Sequence, residues 1–507
     1  VTGQEPFAAE VVLGDPKAEI SPLIYGQYLE HLEDCIYPAI WDEQSPQADE
    51  HGLRRDVIAA AVELGVPVVR WPGGCFADVY HWQDGIGARA ERPVRRNWHW
   101  GGLEPNQFGT DEFLTWCEEI GASSYLNVNL GTGTLDEALR WMDYCTGTED
   151  TADVLRRKAN GRFAPYRTGL WGIGNETWGA WEAGTMGAQA YGLKLANWSD
   201  FALRHHPSVE LLGIGSSEGG EPGWDRTVLD AAGAKLCYLT NHVYGYSTDR
   251  VSGAEYLNVA FTPVYFEARL RAMAAVLDDF HRTSGAEPVR IAVDEWNIRH
   301  FETDGAGGYR LNRASPRNVQ DAVFVAGALN SMIRLSPVVG MANYVFLVNG
   351  NGVLNVRGSE LVRTTLYHVF RQYRSWLRGR VIELDVRSPS TELPEPRPGE
   401  PGHVPVSAGL PARASYLDAV AAVDEGRCAV SLVNRHRYTP IRVRLHGAVR
   451  WRESWTLTDD DLYAVNDFDH PERVLPNREP IDPATTEWVC PPHSVTLLRG
   501  EISRGAA

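Results

Sequence analysis

Two segments end apolar runs on residues that move protons. GLWGIGNETWGAW, 169–181, places Asn175 and Glu176 after a strand-like run, and RIAVDEWNIRH, 290–300, places Asp294 and Glu295 the same way. A glutamate donates or accepts a proton, and an asparagine amide suits a sugar hydroxyl. Two carboxylates facing one sugar support glycosidic hydrolysis: one protonates the leaving oxygen, and the other attacks the anomeric carbon or activates water. On this reading Glu176 is the acid/base and Glu295 the nucleophile. Successive side chains of a strand point to opposite faces, so Asp294 and Glu295 share a pocket only where the strand is irregular. Glu295, nearer the mouth, is assigned to the pocket and Asp294 to anchoring the rim. Retention needs carboxyl groups about 5–5.5 Å apart and inversion about 6.5–9.5 Å, a choice that the sequence leaves open.

Other strand ends carry polar groups. Glu30 follows IYGQYL, Arg70 ends VPVVR and enters WPGGCF, Asn127 and Asn129 follow SYL, and His242 and Tyr244 lie in NHVYGY. These groups suit sugar hydroxyls or the orientation of Glu295. Singly, each reads more readily as a structural rim residue than as a site residue, His242 as a satisfied rim histidine and Arg70 as the partner of Glu30 or Asp34. Their recurrence at strand ends is what points to a site.

The elements that must position them form a pattern. Strand-like runs fall at 22–28, 66–70, 122–128, 169–174, 210–215, 236–242, 290–295 and 342–348, with helical patterns between many of them, including 52–64, 110–119, 186–204 and 319–334. Such alternation predicts an α/β chain closed as a (β/α)8 TIM barrel over 20–375, with its chemistry at the C-terminal ends of the strands. A doubly wound open sheet is the rival arrangement. After Trp376 the character changes. SPSTELPEPRPGEPGHVPV, 388–406, reads as a loop because proline fixes φ and removes donors. The runs 412–422, 427–433, 440–445 and 494–499 predict a C-terminal antiparallel β-sandwich over 376–507. AAEVVLG at 8–14, within an N-terminal segment 1–19, is a candidate to join it.

Composition narrows the partners. The chain of 507 residues carries 48 Lys and Arg against 66 Asp and Glu, a net charge of −18 that repels phosphate backbones and anionic headgroups. Neither nucleic acid nor membrane is expected as a partner. The seven cysteines, at 35, 75, 117, 145, 237, 428 and 490, form no CxxC pair and no zinc-spaced cluster, so no metal is expected. Their odd number favours a reducing compartment, hence cytoplasmic residence, with removal of a signal before residue 1 as the alternative. No phosphate loop or dinucleotide fingerprint is present, so no cofactor is expected.

IYGQYLEHLEDCIYPAIWDE, GVPVVRWPGGCFADVYHWQDGIG, LEPNQFGTDEFLTWCEEIGA, LWGIGNETWG, NHVYGYS and VDEWNI occur in that order within 20–375. Together they resemble the successive signatures of glycoside hydrolase family 51, best known for α-L-arabinofuranosidases, and HPERVLP and PPHSVTLL extend the resemblance more loosely. The resemblance implies a retaining mechanism with Glu176 as acid/base and Glu295 as nucleophile. It further implies substrate binding by Glu30, Arg70, Trp100, Asn175, His242 and Tyr244, and a homo-oligomer, often a hexamer. Two positions depart from some members: Cys75 stands where they carry Asn, and Thr364 where they carry Gln. Asn349 and Asn351 of VFLVNGNGVLN are then substitute contacts. The implied activity is exo-acting release of arabinofuranose from arabinan, arabinoxylan or derived oligosaccharides. An endo-β-1,4-glucanase or another furanosidase is the alternative enzyme, and an inactive carbohydrate-binding protein the alternative of a different class.

Overall fold

Eight strands, Gly26–Tyr28, Val68–Trp71, Ser123–Val128, Thr168–Ile173, Glu210–Gly213, Tyr238–Thr248, Arg290–Thr303 and Val339–Tyr344, pair in parallel and in chain order in a computed structural model. The last pairs with the first through Asn343 opposite Gly26 and Tyr344 opposite Gln27, which closes a barrel and excludes the open sheet. The structure describes residues 5–216, 221–248, 253–304, 306, 308–394, 409–482 and 484–503.

Helices ring the barrel, most burying one stripe, whereas Val319–Arg334, which the second sheet also covers, is buried from Val319 to Ile333. Arg55–Leu64 buries Val57, Ala60, Ala61 and Leu64, the spacing of one helical face, and stops at Gly65, whose φ of 72° supplies a left-handed cap. Val68, Tyr125, Leu170, Leu212, Tyr238, Ala292 and Met341, from seven different barrel strands, fill the interior as an apolar plug. Polar side chains above that plug therefore face the mouth.

Several strand boundaries differ from expectation, the sixth and seventh strands running on to Thr248 and Thr303 beyond the expected ends at 242 and 295. Pro22–Tyr25 is a 3-10 turn capped by Ser21, so the first strand begins only at Gly26. The eighth strand is Val339–Tyr344 rather than 342–348. The run from Met341 to Val348 is buried throughout, so no alternation marks where the strand stops.

The second unit is a nine-stranded sheet. Its order is Asn477–Pro480, Val449–Leu457, Ser494–Ile502, Arg427–Asn434, Leu417–Asp424, Arg380–Arg387, Phe7–Glu19, Ile441–His446 and Glu487–Cys490. It is largely antiparallel, as expected of the sandwich, with one parallel pairing, Phe7–Glu19 with Ile441–His446. A strand arriving from before the barrel needs no hairpin, so it can take either direction. Strand alternation gives the sheet two buried faces. Ala419, Ala421, Val430 and Leu432 pack into the sheet's own core, whereas Val420, Ala422, Ala429 and Val433 join the large barrel core. The loop expected at 388–406 contains a short strand, Ser390–Glu392, paired with Arg413–Ser415; its part from 395 onward lies outside the described residues.

Candidate active site

The strand ends open into a cleft of about 640 Å³ lined by Glu30, Cys75, Trp100, Glu176, His242, Tyr244, Glu295 and Asn351 among the residues singled out above. The turn after the fourth strand aims Glu176. Gly174 at φ 84° and Glu176 at φ 37° both take left-handed backbone, a conformation uncommon for a non-glycine residue and frequent at functional sites. Glu176 Oε1 lies 2.6 Å from His242 Nδ1, and Oε2 accepts from Trp181 Nε1 at 3.2 Å.

The seventh strand supplies the irregularity that two adjacent acids require. Ala292 pairs with Thr240 and Glu295 with His242, so three steps on one strand match two on its neighbour. This bulge turns Asp294 and Glu295 toward one cation: Arg70 Nη1 lies 3.4 Å from Asp294 Oδ2 and 2.9 Å from Glu295 Oε1. Tyr244 donates to Glu295 Oε2 at 2.6 Å, and Tyr125, rising from the apolar plug, donates to Asp294 Oδ2 at 2.9 Å. The turn after the second strand leaves no room for a side chain, since a Cβ on Gly74 would lie 2.2 Å from Glu295 Oε1. Glycine is needed there for close approach.

Electrostatics divide the two acids. Burial alone would lower Arg70, but Asp294, Tyr125 and Glu295 raise it well above its ordinary value, so it is a fixed cation. Burial lowers His242 too, yet Glu295, Asp294 and Glu176 together push it up to about 10. Burial raises the Glu176 carboxyl, and the adjacent imidazolium more than offsets this, leaving it below the usual range. The resting proton of that pair therefore sits on His242.

Glu30 accepts from the Phe76 backbone at 3.0 Å, Trp100 Nε1 at 3.1 Å and Tyr28 at 3.1 Å. Burial, then the charge of Glu295, raises its carboxyl. Trp100 stands at the tip of a hairpin formed by Arg95–Arg96 and Leu103–Glu104, where its backbone N–H donates to Asn97 Oδ1 at 2.9 Å.

Several sequence choices land elsewhere. Arg70 and Asn175, each 1% exposed, lie beneath the cleft; Arg70 Nη2 donates to Asn175 Oδ1 at 2.8 Å and has neither Glu30 nor Asp34 as partner. Thr364 is fully buried and donates to the Val353 carbonyl at 2.8 Å, so it is no sugar contact. Asn349 is corrected likewise: its amide bridges the backbone of Asp34 and Val356 and does not line the cleft. Asn351 lines the cleft while its amide nitrogen donates to Ser315 O at 2.9 Å. Asn127 and Asn129 are buried away from the cleft, Asn129 bonding Tyr80 O at 3.0 Å. Sequence reading passed over His99, Trp178, Trp181, Arg299 and Arg313, all cleft residues. Trp178, Trp181 and Arg299 fall within the quoted segments and His99 adjoins Trp100, so the signal was present without a pattern to single them out.

A carboxylate oxygen of Glu176 and one of Glu295 lie within 4.8 Å of each other, with His242 between them. Such a pair at the mouth of a closed barrel defines a glycoside hydrolase. Residues 60–260 match the family model described as the α-L-arabinofuranosidase 1 domain, and 294–494 match the α-L-arabinofuranosidase C-terminal domain. The probable α-L-arabinofuranosidase C of Aspergillus niger is 34% identical, over 96% of this chain and 95% of that protein. An intracellular exo-α-L-arabinofuranosidase of Bacteroides ovatus is 32% identical over 75% of each chain. The GH51 α-L-arabinofuranosidase structure from Thermotoga petrophila superposes with a TM-score of 0.85 at 32% identity, over 97% of this chain and 99% of that one. The chain belongs to glycoside hydrolase family 51, the family of these α-L-arabinofuranosidases.

Proposed function

We infer that this protein is a retaining, exo-acting α-L-arabinofuranosidase that releases terminal arabinofuranose from arabinan, arabinoxylan or their oligosaccharides. The observation that carries the reading is the Glu176–Glu295 pair, one oxygen of each lying within 4.8 Å of the other, which suits the closer of the two carboxyl spacings and a two-step reaction. A Glu295 oxygen bonds to the anomeric carbon as the glycosidic bond breaks, and the leaving oxygen takes its proton from Glu176. Glu176 then takes a proton from water, whose oxygen attacks the same carbon and frees Glu295. Arg70 and Tyr244 support Glu295 as an ionised, oriented nucleophile. His242 stores the proton that Glu176 needs in the first step. Trp100, Trp178 and Trp181 offer aromatic faces to sugar rings, and Glu30 offers an acceptor to sugar hydroxyls.

Steady-state hydrolysis of aryl α-L-arabinofuranoside, β-D-xyloside, β-D-glucoside and β-D-galactofuranoside tests the sugar, with NMR of the first product formed in methanol testing stereochemistry. A dominant arabinofuranoside rate and a methyl α-L-arabinofuranoside product are expected. Dominance of another glycoside, or an inverted product, would overturn the sugar or the mechanism respectively.

The seven cysteines are free, and the Bacteroides ovatus relative is described as intracellular, which supports cytoplasmic residence. Cell fractionation tests this. A homo-oligomer is proposed on the family resemblance, and a monomeric mass in solution across working concentrations would reject it.

A further inference from the structure

A second cluster borders the cleft beside the acid/base. Cys75, His99 and Glu182 each offer one ligand atom, and the thiol sulfur, imidazole nitrogen and carboxylate oxygen all lie within 4.8 Å of one another. They arrive from three stretches of chain: the turn after the second strand, the hairpin tip at 97–102, and the segment after the fourth strand. Glu182 is 4% exposed, and its Oε2 has no hydrogen-bond partner, while Oε1 accepts from Asn175 Nδ2 at 3.0 Å. A buried, unpartnered carboxylate oxygen is costly and marks a place where a ligand is wanting. Burial pushes the Glu182 carboxyl up to about 9, although the neighbouring Cys75 thiol lowers it, so the empty cluster holds a proton there at neutral pH. Burial lowers His99, which leaves a neutral imidazole with a free lone pair.

The types and spacing suit a tetrahedral ion. Ligand bonds of about 2.0–2.3 Å place donor atoms roughly 3.3–3.8 Å apart, so the side chains need close by only about an ångström. One thiolate and one carboxylate neutralise a divalent charge, which makes the buried assembly electrically acceptable. The trio Glu176, His242 and Glu295 is as compact, but its chemistry differs. Both His242 nitrogens face carboxylates, Nδ1 at 2.6 Å from Glu176 and Nε2 at 3.2 Å from Asp294, and Arg70 already pairs with Glu295. An imidazolium has no lone pair to give.

We propose that Cys75, His99 and Glu182 bind a soft divalent cation of the zinc class, with water as the fourth ligand, and that filling this site inhibits hydrolysis. Binding breaks the S–H bond of Cys75 and the O–H bond of Glu182, forms metal–sulfur and metal–oxygen bonds, and releases both protons to solvent. It also draws Glu182 from Asn175, the neighbour of Glu176 and the partner of Arg70. The inhibitory effect rests on the function inferred above; the binding does not.

Cobalt(II) is the probe, added to metal-stripped full-length protein. One equivalent is expected to bind with a thiolate-to-cobalt charge-transfer band in the near ultraviolet, displaced by Zn²⁺ and abolished by a chelator. Cys75→Ser should lose the band and weaken Zn²⁺ binding by at least about 100-fold. His99→Ala keeps the thiol but should weaken binding comparably, which guards against a folding failure of the first variant. Cys237→Ser removes the other partly exposed thiol and should keep the band. No band in the parent protein, or a band surviving Cys75→Ser, overturns the site. A band with unchanged hydrolysis overturns the inhibition alone, and absent hydrolysis in metal-free protein counts against the function rather than the site.

Discussion

Glu295 and Glu176 carry the same side chain at the mouth of one barrel, yet their surroundings differ in kind. Glu295 sits inside a strand, its oxygens engaged by Arg70 at 2.9 Å and Tyr244 at 2.6 Å. A guanidinium does not titrate in any working range, so the charge facing Glu295 is constant. Glu176 lies beyond its strand on left-handed backbone, and its oxygens face His242 at 2.6 Å and Trp181 at 3.2 Å. Its main partner can give up a proton. The contrast assigns roles by environment: a permanent cation maintains an anion that attacks, whereas a titratable one exchanges the proton that a leaving group needs.

Deleting each carboxylate tests that contrast most severely. Glu295→Ala is expected to lower kcat/KM by on the order of 10⁴-fold or more on every substrate, because the covalent step has no substitute. Glu176→Ala should cost about 10²- to 10⁴-fold with poor leaving groups and much less with an activated aryl glycoside. Azide separates the two sides of the sugar: it should give an inverted glycosyl azide with Glu295→Ala and a retained one with Glu176→Ala. Losses independent of the leaving group in both variants would erase the distinction.

Arg70→Met breaks the fixed-charge side through stability. It leaves Asp294 and Glu295 buried without their cation, with an expected cost of about 3–5 kcal/mol, read from the denaturation midpoint. His242→Gln breaks the titratable side through pH. In the parent protein the shared proton is lost as pH rises through the His242 value of about 10. Without the imidazolium, Glu176 is raised by burial and carries the proton itself, so the alkaline limb of kcat/KM should move to lower pH. The linkage to stability has a definite sign. A histidine raised from 6.5 to about 10 gives stability that is complete below pH 6.5 and lost as pH rises through 10. The Tm of the parent should therefore fall more between pH 7 and 10 than that of the variant.

The motifs at the strand ends were readable because strand alternation and closure leave few ways to place NE after strand four and DE in strand seven. The adjacency of Asp294 and Glu295 even demanded an irregular strand, and the bulge between Ala292 and Glu295 supplies it. Thr364 and Asn349 were misread because a one-dimensional match gives no depth: both lie near the mouth in sequence but spend their polar atoms on backbone. The parallel pairing of Phe7–Glu19 with Ile441–His446 joins residues more than 400 apart, and no local pattern encodes its direction. Of Cys75, His99 and Glu182 only Cys75 was singled out in the sequence, because three loops had to fold before the others became its neighbours.

Trp181→Phe is the mildest test and the most selective. The indole is 56% exposed and only donates, so its bond to Oε2 favours the ionised form of Glu176. A neutral hydrogen bond is worth about 0.5–1.5 kcal/mol net, roughly two- to twelvefold in rate. In glycosylation Glu176 becomes a carboxylate as it gives up its proton, so that bond stabilises the transition state, whereas in deglycosylation Glu176 loses its charge as it takes a proton and gains nothing from the bond. With a poor leaving group kcat/KM should fall about two- to twelvefold, while kcat on an activated aryl substrate, for which deglycosylation limits turnover, changes by less than about twofold. The opposite split, with kcat lost and kcat/KM preserved, would mean that Trp181 serves the glycosyl-enzyme rather than the proton, and the two sides of the cleft would then differ by His242 alone.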